Sequence, residues 1–372
     1  MTINVFQPTL GQDELLAIAD SFNTGWPGKG PKVAEFETAW AKHLGCDPAC
    51  VVSTSSCTEA LFTAVKLLDI GPGDEVIIPT IHFVGAAQAV LSAGATQVFC
   101  DVDSRTLNTT AAYIMDRITS KTRAIILNHY GGVSCLMDEI MLLLEQWPGI
   151  YLIEDAACAP ASTYNGQAVG MFGDIGCWSF DAMKIISTGD GGMMYILDRE
   201  LADIARKQLY LGTSEGSGLT SDKARWWEFE VEIEGARRSV MNDIAAGVGL
   251  EQLKKLDDFI DRRLEIWAQY HKMLGGIVRL PDIGDLLGGN FPSAYFYWIQ
   301  TPRRDELARY LKDNLIYTTF RYYPLHLAYK TGDYLPNAEK AARETLLLPL
   351  HCGLSDEDVE YICEKARAFF DG

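Results

Sequence analysis

Long apolar runs and targeting signals are missing from this 372-residue sequence. It has no uninterrupted run of about 18 apolar residues, so we expect no membrane-spanning helix and no membrane partner. Its first residues, MTINVFQPTLGQDELL, lack the basic segment and the apolar stretch of a secretory signal. We therefore expect a cytoplasmic protein.

Metal-binding patterns are also missing. No C-x-x-C pair occurs, and the six histidines show no paired spacing, so we expect no metal site. The nine cysteines are scattered and odd in number. Several, such as Cys100 and Cys177, lie in strand-like runs, where we expect buried free thiols in a reducing compartment.

Positive charge is scarce, because 32 lysines and arginines face 50 aspartates and glutamates, giving a formal net charge of −18. A field of that sign repels nucleic-acid backbones, so nucleic acid is not an expected partner. It does not exclude a small anionic substrate in one local basic pocket. With 48% hydrophobic and 22% charged residues, the chain is typical of a globular protein with room for two domains.

From about residue 50, apolar strand-like runs alternate with helix-like segments. Continuous apolar runs separated by helices predict a largely parallel sheet covered on both faces. We predict strands at residues 50–54, 75–80, 96–103, 123–132, 150–157, 174–180 and 191–197. A helical tract from 241 to about 274 leads to a smaller unit, with strands at 295–301 and 316–323 and helices at 305–313, 338–347 and 356–370. The sequence thus predicts an α/β protein with a large domain at 1–249 and a small α/β domain at 250–372.

Residues 213–240 interrupt this alternation. The segment is polar, rich in glycine and serine at its start, and aromatic in its middle. A long irregular segment inside a compact domain is typical of a functional loop or of a disordered one. Trp226, Trp227 and Phe229 are exposed unless a second subunit covers them or they pack against their own.

Polar side chains follow three of the predicted strands, at the sheet edge where open α/β sheets bind ligands. Residues 53–58 read S-T-S-S-C-T before a helix, which suits either an anion site or a simple N-cap. Glu154 and Asp155 end an apolar strand and are either functional or a cap and a surface charge. Lys184 follows the strand at 174–180, as a solvated amine or, if partly buried, as a nucleophile or proton shuttle with a lowered pKa.

Phosphate-loop signatures are missing at these positions. The Gly-rich stretch at 188–192 is not of the G-x-x-x-x-G-K-[ST] type, and no G-x-G-x-x-G follows a predicted strand. Nucleotide hydrolysis and dinucleotide redox chemistry are therefore weak candidates.

Several motifs in order resemble one family. They are S-S-C-T-E-A-L, G-P-G-D-E-V-I-I-P-T, H-F-V, I-E-D-A-A, F-G-D-I-G-C-W-S-F-D-A-M-K, T-G-D-G-G and M-N-D-I-A-A-G-V-G-L-E-Q-L. Together they resemble the DegT/DnrJ/EryC1/StrS aminotransferases over nearly the whole chain. The resemblance implies fold type I, with pyridoxal 5'-phosphate as cofactor and pyridoxamine 5'-phosphate as intermediate. It also implies transfer of an amino group from an amino acid, usually glutamate, to a keto sugar that we expect to be nucleotide-linked.

The resemblance also implies roles for individual residues. Lys184 stands where the family keeps the lysine that forms the internal aldimine and moves the proton. Asp155 matches the carboxylate that pairs with the pyridinium nitrogen. Cys57, Thr58 and Ser179 match the phosphate-binding residues, and Phe83 matches the aromatic side chain that stacks on the cofactor ring. For substrate contacts we name Tyr323 and His326, and we expect specificity in residues 209–235 and around His326.

Three positions depart from the family pattern. Cys57 replaces the glycine of S-G-T, so a side chain accompanies the phosphate-binding amide. Cys158 replaces a glutamine that contacts the cofactor's 3-hydroxyl. Arg238 replaces an asparagine that reaches the cofactor phosphate of the neighbouring subunit. An arginine there suits phosphate, but surface ion pairs of Arg237 and Arg238 with Glu232 and Glu234, or a contact with a substrate diphosphate, are alternatives.

Two other functions stay open at this stage. A sugar dehydratase of the same family uses the pyridoxamine form of the cofactor and carries histidine in place of the lysine, so Lys184 argues against it. The second is a non-enzymatic cofactor-binding sensor or regulator. For an aminotransferase, the resemblance implies a homodimer with a shared active site, or a multiple of one.

Overall fold

The structure is a computed structural model that describes residues 2–213, 225, 227–281 and 289–371. The α-helices of these residues are α1 (Gln12–Asn23), α2 (Pro31–Leu44), α3 (Cys57–Leu67), α4 (Val84–Ser92), α5 (Ala111–Met115), α6 (Met137–Glu145), α7 (Arg199–Gln208), α8 (Asp243–Lys254), α9 (Leu256–Leu274), α10 (Arg304–Asp313), α11 (Leu325–Tyr329), α12 (Pro336–Glu344) and α13 (Asp356–Asp371). The strands are β1 (Val51–Thr54), β2 (Glu75–Pro79), β3 (Thr96–Cys100), β4 (Thr122–Asn128), β5 (Tyr151–Asp155), β6 (Thr163–Tyr164), β7 (Gln167–Ala168), β8 (Ile175–Ser179), β9 (Gly192–Ile196), β10 (Tyr297–Gln300) and β11 (Thr345–Leu348).

The main sheet of the described residues has seven strands in the order β1-β9-β8-β5-β4-β2-β3. The pairs β2–β3, β2–β4, β4–β5 and β5–β8 are parallel, whereas β9 is antiparallel to both β8 and β1. All strands except β9 therefore run in one direction, and their carboxyl ends share one edge. The predicted, mostly parallel α/β sheet is confirmed.

Burial explains why these segments are strands. Val76, Ile77 and Ile78 of β2 are fully buried, as are Ile125 and Ile126 of β4. Strands covered by helices on both faces need apolar side chains on both faces, so they lose the alternating pattern of half-exposed strands. Cys100 and Cys177 are fully buried free thiols, as predicted.

Aromatic packing holds the segment that leads from β8 to Lys184. Trp40 of α2 packs on Trp178 of β8 with ring centroids 5.7 Å apart, and Phe36 packs on Phe180 at 5.2 Å. All four side chains are nearly or fully buried. Lys184 lies four residues beyond Phe180, so its backbone is anchored to the core of the sheet.

The C-terminal unit corrects two predictions. Residues 316–323 are not a strand, because Ile316 and Thr319 make only isolated bridges, to Ile3 and Leu347. The predicted helix 338–347 ends at Glu344, since the following residues pair with β10 as β11. This pairing outweighs the helical preference of the leucines. The tract 241–274 divides at Lys255 into α8 and α9.

The division into domains at 249/250 falls within α8 and stays a prediction. Trp226 and residues 214–224 of the predicted specificity segment lie outside the described residues. None of the helices described is both long and apolar enough to cross a membrane. In the same part of the chain, no three His, Cys, Asp or Glu side chains are grouped as a metal site would require.

Candidate active site

A cavity of about 270 Å³ lies at the carboxyl edge of the sheet, near the ends of β1 and β8. Of the residues named from the sequence, it is lined by Cys57, Thr58, Phe83, Ser179 and Lys184. They come from segments up to 127 positions apart, counting from Cys57 to Lys184. The parallel sheet brings them together because its strands end at the same edge.

The N-terminus of α3 forms one wall of the cavity. Ser56 is the N-cap, and its hydroxyl accepts a hydrogen bond from the Glu59 amide at 3.2 Å. The next amides, of Cys57 and Thr58, precede the first intrahelical hydrogen bond and so can donate to a bound anion. Burial raises the pKa of the Cys57 thiol well above its usual value, so the side chain adds no negative charge beside that anion.

Glu154 and Asp155 point to opposite faces of β5, as neighbouring strand residues do. Glu154 is fully buried, and its carboxylate accepts the amides of Gly170, Phe172 and Gly173 at 2.7–2.9 Å. It therefore holds a turn, and the cap interpretation applies to it. Asp155 lies on the other face, within electrostatic reach of Lys184.

The Asp155 carboxylate is buried but sparsely bonded. Its Oδ1 accepts the Ala157 amide at 3.0 Å, and its Oδ2 lies 3.8 Å from Nε2 of His82. A buried carboxylate with an oxygen turned away from backbone donors is suited to accept an N–H from a ligand.

Lys184 is partly buried at the base of the cavity. Its Nζ lies 3.8 Å from Sγ of Cys158 and 4.9 Å from the centroid of the Tyr295 ring. Burial alone lowers the pKa of the amine, but the thiol, two phenols and carboxylate around it raise that pKa well above its usual value. These groups belong to Cys158, Tyr295, Tyr322 and Asp155. A lowered pKa is expected only beside cationic or apolar groups, and this condition is not met because the neighbours are acidic groups.

The ring of Phe83 lies across the cavity wall. It meets the ring of Tyr322 edge-on, with centroids 5.9 Å apart. A Cβ added to Gly85 would lie 2.9 Å from the Phe83 ring. The ring can occupy this position because Gly85 has no side chain. Together with the α3 amides, the Asp155 carboxylate and the Lys184 amine, this surface suits a flat aromatic ligand with an anionic group, a basic ring nitrogen and an electrophilic carbon.

Arg238 lies outside the cavity of its own chain. Its guanidinium is exposed and lies 4.9 Å from the ring centroid of Tyr210. The neighbouring Arg237 pairs with Glu59 at 2.9 Å, while Glu232 accepts a hydrogen bond from Lys207. Arg237 thus pairs with Glu59 and not with the acidic residues suggested from the sequence. Glu232, one of those residues, pairs with Lys207.

The two residues named for substrate contacts also lie outside the cavity. Tyr323 is exposed. His326 is buried, and its Nδ1 lies 2.7 Å from Oγ1 of Thr80 at the end of β2. Burial lowers the pKa of His326, and its contact with Thr80 joins the C-terminal unit to the sheet. It thereby positions the residues before it at the cavity.

Sequence reasoning missed Arg321, Tyr322 and Tyr295. Arg321 and Tyr322 line the cavity, and Tyr295 lies beneath Lys184. A basic residue beside two tyrosines, directly before P-L-H in a strongly acidic chain, is the signal that could have indicated the first two. Tyr295 carries no local signal, because only the packing of the C-terminal unit brings it to Lys184.

Comparisons with known proteins show what the whole chain is similar to. The family model described as the DegT/DnrJ/EryC1/StrS aminotransferase family matches residues 8–367. The dTDP-4-dehydro-2,3,6-trideoxy-D-glucose 4-aminotransferase of Saccharopolyspora spinosa is 47% identical over 372 residues, covering 98% of this chain and 95% of that protein. GDP-perosamine synthase of Escherichia coli O157:H7 is 33% identical, covering 99% and 98%.

Two solved structures are similar over nearly their whole lengths. The aminotransferase TlmJ from Streptoalloteichus hindustanus has a TM-score of 0.93 at 48% identity, covering 99% of this chain and 98% of that one. The putative sugar aminotransferase Spr1654 from Streptococcus pneumoniae, in its PLP form, has a TM-score of 0.91 at 26% identity, covering 100% and 99%.

Proposed function

The chain belongs to the DegT/DnrJ/EryC1/StrS aminotransferase family, and on that premise we propose that it transfers an amino group from glutamate to a nucleotide-linked keto sugar. It is a pyridoxal-phosphate-dependent transaminase. The observation that carries the proposal is the position of the Lys184 amine in one cavity with the α3 amides and the Phe83 ring. Spr1654, solved in PLP and PMP forms, supports the same cofactor.

The residues of the cavity fit this cofactor. The amides of Cys57 and Thr58, with the Ser179 hydroxyl, would hold the phosphate, and Phe83 would cover one face of the ring. Asp155 would accept the N–H of the ring nitrogen and keep it protonated. When bound, pyridoxal phosphate supplies an electron sink for the pair released from the substrate's C–H bond.

Lys184 has two tasks in this proposal. Its amine would hold the cofactor between turnovers, and the amine once freed would accept and return the proton of the amino-acid carbon. Its raised pKa means that the free amine is stored as an ammonium ion and must lose a proton before it attacks a carbonyl carbon. Cys158, whose Sγ lies 3.8 Å from this amine, stands at the position where the resemblance implies a glutamine.

The acceptor we propose is a 4-keto deoxy sugar carried by a nucleoside diphosphate. The name of the relative at 47% identity assigns the amine to carbon 4 of a dTDP-linked sugar, and that of the perosamine enzyme assigns a GDP-linked one. Arg321, which lines the cavity, is a cation available to an anionic substrate in a strongly acidic chain. A lysine at position 184 and relatives named as aminotransferases favour this function over the dehydratase and the sensor.

We further propose a homodimer whose partner subunit completes the cavity. Large apolar side chains are more than half exposed on α1 and in two other segments: Leu15, Leu16, Trp26 and Phe229. Exposed apolar surface of this kind is typical of an interface. Light scattering of the loaded enzyme at assay concentration is expected to give a dimer, and an active monomer would contradict the shared site.

The function is tested with enzyme loaded with pyridoxal phosphate. Glutamate is expected to convert the cofactor absorbance to that of the pyridoxamine form, and a matching 4-keto sugar nucleotide to restore it. A panel of dTDP-, GDP- and UDP-linked 4-keto and 3-keto sugars identifies the acceptor. Lys184→Ala is expected to abolish covalent cofactor attachment and turnover, whereas the surface variant Lys340→Ala retains both. Full activity of Lys184→Ala, or no response to any donor or acceptor, would contradict the proposal.

A further inference from the structure

His82 is a buried histidine for which the chemistry above has no use. It lies between β2 and α4, and its side chain is fully buried. Its Nδ1 is 3.1 Å from the carbonyl oxygen of Phe83, so this nitrogen carries the hydrogen and donates. Its Nε2 has no hydrogen-bond partner among the described residues. Buried polar atoms are seldom left unbonded, so this nitrogen needs an explanation.

The nearest charged group to Nε2 is the Asp155 carboxylate, with Oδ2 at 3.8 Å. Both ring nitrogens of His82 therefore face acceptor oxygens, and only a ring with two N–H groups satisfies both. Burial lowers the pKa of His82 and His129 adds to this lowering, whereas the charge of Asp155 and the backbone carbonyls of Phe83 and Leu127 oppose it. A ring with two N–H groups therefore depends on these acceptors around it.

A second histidine–carboxylate pair on the same strand provides an internal comparison. On the opposite face of β5, Nε2 of His129 lies 3.2 Å from Oε2 of Glu154. Glu154 is held by three backbone amides as well, so its orientation does not depend on His129. Asp155 accepts one backbone amide, from Ala157, and this bond reaches only Oδ1. The orientation of Oδ2 thus depends much more on His82.

We propose that His82 is a positioning residue for Asp155, whose Oδ2 accepts a hydrogen bond from Nε2–H and is thereby aimed at the ring nitrogen of the cofactor. The inference rests on the proposed role of Asp155. Movement of the pair from 3.8 Å to about 3 Å completes the bond. Because His82 directly precedes Phe83, one short segment then orients both the ring-stacking side chain and the partner of the ring nitrogen.

The test compares two ligands by equilibrium binding, without turnover. One is pyridoxal phosphate, and the other is its deaza analogue, in which carbon replaces the ring nitrogen. His82→Phe, which keeps a ring but no donor, is expected to weaken binding of pyridoxal phosphate about tenfold and to leave the analogue unchanged. His82→Gln, whose amide can donate to Asp155, is expected to restore most of the loss. His82→Leu serves as the non-donor variant if the Phe variant does not fold.

His129→Phe is the matched control, and it is expected to lower thermal stability while leaving the ratio of the two affinities as in the wild type. Equal losses for both ligands in His82→Phe, or no loss for either, would overturn the positioning role. Asp155→Asn separates this failure from that of the proposed site. If the ratio of the two affinities in Asp155→Asn is the same as in the wild type, Asp155 does not face the ring nitrogen. Both the proposed site and the inference are then wrong.

Discussion

Gly192 lies so close to Cys57 that a Cβ built on the glycine would be 2.6 Å from the Cys57 amide nitrogen. The same Cβ would lie 2.5 Å from Oγ1 of Thr54, the residue opposite Gly192 in the pairing of β1 with β9. Only a residue without a side chain lets β9 begin beneath the N-terminus of α3. The position of the α3 amides, and with it the proposed phosphate site, therefore depends on a residue that contributes no functional group.

Gly192→Ala is expected to displace the start of α3 and to weaken binding of pyridoxal phosphate. Forcing a methyl group into a packed site costs about 1–3 kcal/mol, which the protein can relieve by moving the helix terminus. Equilibrium binding and thermal unfolding measure the two effects. Gly71→Ala is the control, because the nearest atom to its added Cβ is 3.9 Å away. Unchanged cofactor affinity in Gly192→Ala would show that the α3 amides do not hold the phosphate.

The carboxylates of Glu154 and Asp155 are expected to respond differently to the loss of their charge. Asp155→Asn should slow turnover by orders of magnitude with little change in stability, because the ring nitrogen loses its anionic partner. Glu154→Gln should lower the free energy of unfolding by about 2–4 kcal/mol, because an amide cannot accept the three backbone N–H groups equally well. Steady-state kinetics and denaturant unfolding of both variants test this prediction. A loss of turnover in Glu154→Gln together with a loss of stability in Asp155→Asn would mean that the two carboxylates have the opposite roles.

The sequence predicted the sheet well because burial on both faces leaves a clear pattern of apolar runs. The pattern of residues alone could not distinguish Glu154 from Asp155, since the face that each occupies depends on what the sheet packs against, and only the family resemblance singled out Asp155. The helix predicted at 338–347 failed at Thr345, where pairing with β10 decides the backbone. His326 illustrates the same limit for the site, because its bond to Thr80 joins residues 246 positions apart.

Glu14 is expected to contribute to the acid sensitivity of folding. Burial raises the pKa of this carboxyl, but hydrogen bonds from Lys255, Gln252 and the Gly11 amide outweigh burial and lower the pKa from 4.5 to about 2. A lowered pKa gives stability that is complete above about pH 4.5 and is lost as the pH falls toward 2. The full effect is about 3 kcal/mol.

Denaturant unfolding of the wild type and Glu14→Gln between pH 7 and the lowest pH at which both fold checks this prediction. The difference in unfolding free energy is expected to be largest near neutrality and to shrink below about pH 4.5. Asp20→Asn, which changes an exposed carboxylate on the same helix, is the control and is expected to leave the pH dependence nearly unchanged. A difference that stays constant with pH would mean that Glu14 acts through packing alone.

Arg238 is one of three departures of this chain from the family pattern, and we predict that it binds the cofactor phosphate of the neighbouring subunit. The carbonyl of Ser239 accepts a hydrogen bond from the Ser55 amide at 2.8 Å, so the backbone beside Arg238 is fixed to the loop that leads into α3. The guanidinium itself stays exposed over the Tyr210 ring and is available to a neighbouring subunit. Arginine can donate two hydrogen bonds to phosphate oxygens and adds the charge that asparagine lacks.

Arg238→Ala is therefore expected to weaken cofactor binding by about 1.5–3 kcal/mol, or roughly one to two decades in affinity. Arg237→Ala is the matched control, because the neighbouring arginine is committed to Glu59 on its own chain and should leave that affinity unchanged. Equal effects of the two substitutions would indicate a general loss of surface charge. If the cofactor stays bound in Arg238→Ala while KM for the sugar nucleotide rises, the guanidinium binds the substrate's diphosphate instead. If cofactor binding and turnover are both unchanged, Arg238 is a surface residue without a role in either.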